Sequence, residues 1–219
     1  MRNKSPANRG NKYPAEPLTG PEAQALVNAV RGDGVVAVRN RALIALLWRS
    51  GLRVSEALSL KPSDLDLSKG VVRVREGKGR KDRVAVIDGL AVGHLTAWLT
   101  VRSSRLGLNG RQPLFCSVAS GKTRKPGDPM DASYVRRLLP KLGERAGIDK
   151  RVHAHGLRHT MATEMVERGL PLHVIAGQLG HSSTATTDTY LAKLMPSDRI
   201  RAMRAAGWTM EDVDDPAPA

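Results

Sequence analysis

With 219 residues, 35 Lys and Arg against 21 Asp and Glu, and a formal charge of +14, the chain can bury one sizeable core and favours a polyanionic partner, nucleic acid first. Its single cysteine, Cys116, excludes an internal disulfide framework, and an aromatic content of 3% argues against base stacking as the mode of binding. No apolar run is long enough to span a membrane and no signal-peptide core opens the chain, so the composition reads as a soluble, cytoplasmic protein.

Residues 1–18 are polar and carry Arg2, Lys4, Arg9 and Lys12, the pattern of a flexible basic arm. Thr19 followed by Glu22 forms a capping-box signature, and Leu26, Val27 and Val30 supply the apolar face of a first helix that Gly32 and Gly34 break. A second helix is predicted over 39–50, with Leu43, Ile44, Leu46 and Leu47 in the core and Gly51 as its C-terminal cap. A short helix, VSEALSL, precedes Pro62. From Gly70 to Ile87 the period changes to two: VVRVR and RVAVI read as strands joined by the Gly-containing turn EGKGRKD. Helix returns at 89–105 around Leu95, Trp98 and Leu99, and the Gly-, Pro- and Lys-rich stretch 111–129 reads as a surface loop. Asp131 is placed to cap a helix over 132–147, which Pro140 should kink or interrupt. An amphipathic helix is predicted over 196–206, and residues 207–219 read as a disordered acidic tail. There is no internal repeat. The expected fold is mainly α with a small antiparallel β-sheet, an α+β arrangement.

The chemistry concentrates in residues 153–190, HAHGLRHTMATEMVERGLPLHVIAGQLGHSSTATTDTY. His155 and Arg158 stand three apart on the first turn of a predicted helix, whose start also offers unpaired N–H groups to an anion. His181 follows a helix stop at Gly180, and Tyr190 comes nine residues later. Arg53, just after Gly51, reads in isolation as a solvated arginine, yet paired with Arg158 it offers a two-guanidinium bracket for one phosphate. Lys78 sits at the ribbon tip, where a charged turn that discourages edge pairing is the ordinary explanation. Its GKG is too short for a P-loop, and HGLRH lacks the Glu of a zinc-binding H-E-x-x-H, so neither nucleotide nor metal is indicated. His159, inside the helix, reads as a supporting residue. Tyr190 is one of three tyrosines, and such a residue is ordinarily core. As a nucleophile its pKa near 10 demands a neighbouring base or a strongly stabilised anion. The joint presence of these residues in this order carries the reading.

The strings GLRVSEAL (51–58), GKGRKDR (77–83), HGLRHTMAT (155–163), LGHSS (179–183) and TTDTY (186–190) together resemble the tyrosine recombinase (phage integrase) family, especially its Xer-like members. The resemblance covers about residues 19–206, implying a DNA breaking-rejoining catalytic core that acts as a site-specific recombinase through a 3′-phosphotyrosine intermediate. It implies that Arg53 and Arg158 hold the scissile phosphate, that Tyr190 attacks, and that Lys78 protonates the 5′-oxygen, with Lys81 as a rival. His155 would assist proton removal from the tyrosine, His181 would hydrogen-bond a phosphate oxygen, and Glu56 and His159 would orient these groups. Arg80, Lys81 and Arg83 would contact DNA as the hairpin enters the minor groove. No cofactor or metal is implied; the partners are double-stranded DNA and three further copies, assembled as a homotetramer through the C-terminal helix, exchanging strands through a four-way junction. The family's usual N-terminal clamp domain has no counterpart in the eighteen leading residues. Two other readings share much of this pattern: a type IB topoisomerase-like activity and a non-catalytic DNA-binding regulator.

Overall fold

The computed structural model describes residues 17–75, 82–118 and 125–180. In chain order these form α1 (Gly20–Asn28), α2 (Val35–Ser50), α3 (Val54–Ser59), a single 3-10 turn at Pro62–Asp64, β1 (Leu65–Asp66), β2 (Val71–Val74), β3 (Arg83–Val86), α4 (Gly89–Leu106), α5 (Ala132–Arg145), α6 (Ala154–Glu167) and α7 (Leu172–Leu179). The mainly α architecture with a small antiparallel sheet agrees with the sequence reading. Among the described residues no helix is long and apolar enough to cross a membrane.

The organising helix is α2. Leu43, Ile44, Ala45, Leu46 and Leu47 are all fully buried, and a helix apolar on every side must be enclosed by its neighbours. The helix α4 lies along it through Leu95 and Trp98, and the Trp98 indole N–H donates to the Leu114 carbonyl at 2.8 Å. The predicted capping box is present: the Thr19 N–H donates to Glu22 and the Glu22 N–H to the Thr19 hydroxyl. The sheet runs antiparallel in the order β1-β2-β3, with Val72 opposite Ala85. Val72, Val74 and Ala85 turn to the core, while Val84 and Val86 face outward, as a period of two requires.

Five details depart from the sequence reading. The helix α2 begins at Val35 rather than 39, because Val35 and Val38 pack on the core and tertiary burial overrides the weak helix preference of valine. The strand β1, at two residues, is too short to show alternation. Stretch 111–129 is not all surface loop: Leu114, Phe115 and Cys116 are fully buried, and Cys116 pairs with Pro129 as a β-bridge. Pro140 does not interrupt α5; it lies on the exposed side, where the carbonyl of Arg136 that loses its N–H partner faces water. Leu18, counted with the leading arm, is a core residue. The hairpin tip, the 196–206 helix and the acidic tail lie outside the described residues.

A second, smaller apolar cluster sits between α6 and α7: Ala162, Met165, Ile175 and Leu179. Polar groups join this unit to the main body. Arg49 donates to Asp88 at 2.7 Å and to Glu164 at 2.6 Å, and Glu164 also accepts the Trp48 indole N–H at 3.0 Å. Substituting Glu164→Ala removes one of the two carboxylate partners of Arg49 and the acceptor of the Trp48 indole, so urea denaturation is expected to show a loss of about 2 kcal/mol. A change indistinguishable from that at an exposed glutamate would refute this clamp.

Candidate functional site

Two helix ends meet at the site. The helix α2 stops at Gly51 and α7 at Gly180, both with positive φ, at 65° and 66°. That left-handed turn favours glycine, and space demands it too: a Cβ on Gly51 would approach Leu179 Cδ2 to 2.7 Å, and one on Gly180 would collide with the Arg83 guanidinium. The two carbonyl ends thus converge, and Arg158 from α6 fills the gap. Its Nη1 donates to the Gly51 carbonyl and its Nη2 to the Leu179 carbonyl, each at 2.6 Å, and the residue is 1% exposed. Burying a cation is costly, but charge-assisted bonds to two carbonyls at the negative ends of two helix dipoles offset the cost.

Arg53 lies two residues beyond Gly51 and precedes the first turn of α3 with extended backbone. Glu56, in that turn, accepts the Arg53 backbone N–H at 2.7 Å and the Arg53 Nη1 at 2.8 Å. The same carboxylate receives Arg83 Nη2 from β3 at 3.0 Å, and Arg83 Nη2 also reaches the Leu179 carbonyl at 3.4 Å. Burial pushes the Glu56 carboxyl up, but the Arg83 and Arg53 contacts outweigh it and hold it below its ordinary 4.5. Its stabilising contribution is therefore complete above pH 4.5 and is lost as pH falls through the lowered value. Three guanidiniums and one carboxylate, from α3, β3 and α6, accordingly share one junction.

Arg83, expected to contact DNA, has an 11% exposed side chain that is ion-paired with Glu56. The signal was present in the strand period, since Arg83 shares the core-facing side with Ala85 and Ile87. His155 and Arg158 share α6 but not an exposure: His155 is open to solvent while Arg158 is sealed, and Arg53 presents a 41% exposed side chain. His159 sets its ring edge-on to His155 at 4.4 Å. Ahead of them, His153 caps α6, its Nδ1 accepting the Gly156 N–H at 2.7 Å, so one of the helix-start donors expected to serve an anion is already engaged.

Partial desolvation, followed by the charges of Arg158, His153 and Arg53, holds His155 below its ordinary value of 6.5. The neutral ring, the form able to take a proton, therefore dominates at neutral pH. An unfolded chain binds this proton near 6.5 and the folded one only at lower pH, so stability drops as pH falls below 6.5. An NMR titration of the ring is expected to give a midpoint below 6.5 that moves upward in Arg53→Gln. No movement would separate the two residues electrostatically.

Lys78, Arg80, Lys81, His181 and Tyr190 lie outside the described residues. Beside the site, the sequence reading passed over Gln178, whose side-chain amide bonds both the N–H and the carbonyl of Val86. Its only sequence signal is a polar residue in the otherwise apolar run VIAGQL.

The profile of the Phage integrase family matches residues 16–196. Among curated proteins, the tyrosine recombinase XerC of Halalkalibacterium halodurans is 36% identical over 188 residues, covering 82% of this chain and 58% of that protein. The tyrosine recombinase XerA of Thermococcus kodakarensis is 38% identical over 152 residues, covering 69% and 50%. This chain thus spans about half the length of these relatives. Among solved structures, XerA recombinase superposes with a TM-score of 0.76 at 32% identity, covering 91% of this chain and 68% of that one. The XerH site-specific recombinase bound to its palindromic difH substrate, a post-cleavage complex, gives 0.71 at 28% identity, covering 94% and 56%.

Proposed function

Because the chain belongs to the phage integrase family, as an Xer-like tyrosine recombinase domain, we propose that it is the catalytic part of a site-specific DNA recombinase that cuts and rejoins duplex DNA through a 3′-phosphotyrosine link. The observation that carries this reading is the junction of Arg53, Glu56, Arg83 and Arg158, three guanidiniums around one carboxylate beside His155, whose pKa is held below its ordinary value. The DNA-bound XerH relative supports duplex DNA as the partner.

In this mechanism the Tyr190 oxygen attacks phosphorus, its proton passing to His155, and the bond from phosphorus to the 5′-oxygen breaks. Lys78 protonates the departing oxygen, leaving a free 5′-hydroxyl. Arg53 and Arg158 stabilise the charge that gathers on the phosphate oxygens, and His181 adds a hydrogen bond there. Arg158 reaches the phosphate by exchanging a carbonyl partner for a phosphate oxygen. Glu56 holds Arg53 and Arg83 at a set distance from each other, and His159 supports the His155 ring. No metal or cofactor takes part. The phosphotyrosine retains the energy of the phosphodiester, so a 5′-hydroxyl from another strand reverses the step.

The test is covalent capture. Nicked suicide duplexes with a randomised central arm, incubated with the full chain, should yield a denaturant-resistant adduct that mass spectrometry places on Tyr190. Binding without any adduct would overturn the reading.

Assembly follows as the finer part of the proposal: four copies on DNA, joined through residues 196–206. A groove of about 370 Å³ between β3, α6 and α7, floored by Val86, Met161, Met165, Leu170 and Val174 and edged by Asp88, Glu164 and Arg168, supports the apolar face of an amphipathic helix as its occupant. Deleting residues 196–219 is expected to leave the domain folded while sedimentation on DNA no longer shows a tetramer. An unfolded product would count against docking between copies.

A further inference from the structure

We propose that Gln178 is a positioning residue for the phosphate-holding arginines, an inference that rests on the recombinase reading above. Its side chain is mostly buried, and its three hydrogen bonds all go to backbone groups. The Oε1 accepts the Val86 N–H at 2.9 Å, while Nε2 donates to the Val86 carbonyl at 2.8 Å and to the Ser50 carbonyl at 3.1 Å. Toward β3 the amide behaves like one residue of an added strand, satisfying both outward groups of an edge position. Toward α2 it holds the final residue of the helix.

The placement of these contacts is what matters. Val86 is three residues after Arg83, Ser50 is three residues before Arg53, and Gln178 directly precedes Leu179, whose carbonyl receives both Arg158 and Arg83. One amide therefore ties together the three segments that aim Arg53, Arg83 and Arg158. The apolar packing of α7 is shared mainly with α6, with Leu179 also set against Gly51. Apolar contact tolerates sliding, whereas three directional bonds from one planar group do not. Ser50 reinforces the same point: its hydroxyl donates to the Leu46 carbonyl at 2.6 Å and accepts the Leu52 N–H at 3.2 Å, fixing the turn that leads into Arg53. Leucine at 178 would fill the space without bonds, asparagine would fall short, and glutamate would set an oxygen against two carbonyls.

Two measurements on the full chain test the proposal. The first needs no DNA. Gln178→Met keeps the volume and removes the three bonds, and the NMR midpoint of His155 should rise toward 6.5 as the arginines that depress it drift away. The second uses the duplex captured by the wild type, made with either a phosphodiester or a neutral methylphosphonate at the scissile position. The methylphosphonate lacks the charge that the arginines neutralise. Attachment by Gln178→Met should fall roughly 100-fold on the phosphodiester and by no more than about tenfold on the methylphosphonate, as for Arg53→Ala. Gln178→Glu, which keeps only the acceptor for Val86, should shift both readouts in the same direction if the Met variant lowers the melting temperature. Equal losses on the two substrates, or an unmoved His155 midpoint, would overturn the proposal. Should the wild type attach to no duplex, the recombinase reading fails, while the His155 titration still decides whether Gln178 positions the arginines.

Discussion

Tyr190→Phe is expected to eliminate covalent attachment to DNA while leaving binding nearly intact. The substitution deletes one oxygen and keeps the ring, so whatever packing Tyr190 makes survives. The loss is total because phenyl offers no atom to bond phosphorus. Binding rests on many phosphate contacts, and one absent hydroxyl costs about 1 kcal/mol at most, within roughly tenfold in affinity. Denaturing gels on the captured duplex read the first quantity and a salt-controlled shift assay the second. An adduct that persists in the variant would remove Tyr190 from the mechanism and turn attention to the two remaining tyrosines, Tyr13 and Tyr134. Tyr134 is already engaged, its hydroxyl accepting from the Asn40 amide at 2.9 Å.

The second large effect belongs to Arg158, which serves the fold and the reaction together. Alanine there leaves the buried Gly51 carbonyl without this donor and the Leu179 carbonyl to the longer 3.4 Å bond from Arg83, and urea denaturation should show a loss of about 3 kcal/mol. Arg158→Lys separates the two roles. An ammonium retains the charge but cannot reproduce a planar fork that reaches two carbonyls from different helices. The lysine variant should therefore recover part of the stability, while attachment remains down by at least about 100-fold. A lysine variant that attaches DNA at the wild-type rate would show that charge alone suffices at this position.

How far these residues could be read from sequence depends on what each one bonds to. Helices announced themselves where apolar residues recur along one face and a cap closes the end, as at Thr19–Glu22 and at Gly51. Glu56 entered through the family resemblance as a residue orienting its neighbours, and its three-residue spacing from Arg53 puts the two within reach. Arg158 was recognised as important, but its partners are main-chain carbonyls at the ends of two helices, and backbone groups leave no trace in residue identity. Gln178 was passed over for the same reason: its bonds are to the backbone of Val86 and Ser50, far away in the chain. Arg83 is a different case. The resemblance implied a DNA contact for it as part of the hairpin, while the strand period sets it on the inner side with Ala85, where its guanidinium reaches Glu56. Leu114–Cys116 shows the converse, a three-residue apolar run hidden by the Gly, Pro and Lys around it.

The separate apolar cluster of α6 and α7 also bears on how the protein fails. Cooperative units need not melt together, and a unit with a small core of its own opens at lower free energy than the whole domain. Leu157, next to Arg158, belongs to the main core, whereas α7 brings the Leu179 carbonyl that Arg158 and Arg83 share. Mild heat or denaturant that lifts α7 withdraws that carbonyl while α2 and its shell stay folded. The geometry of the three arginines is thus tied to the smaller of the two apolar clusters, and a copy strained there would lose the proposed activity before it loses its shape.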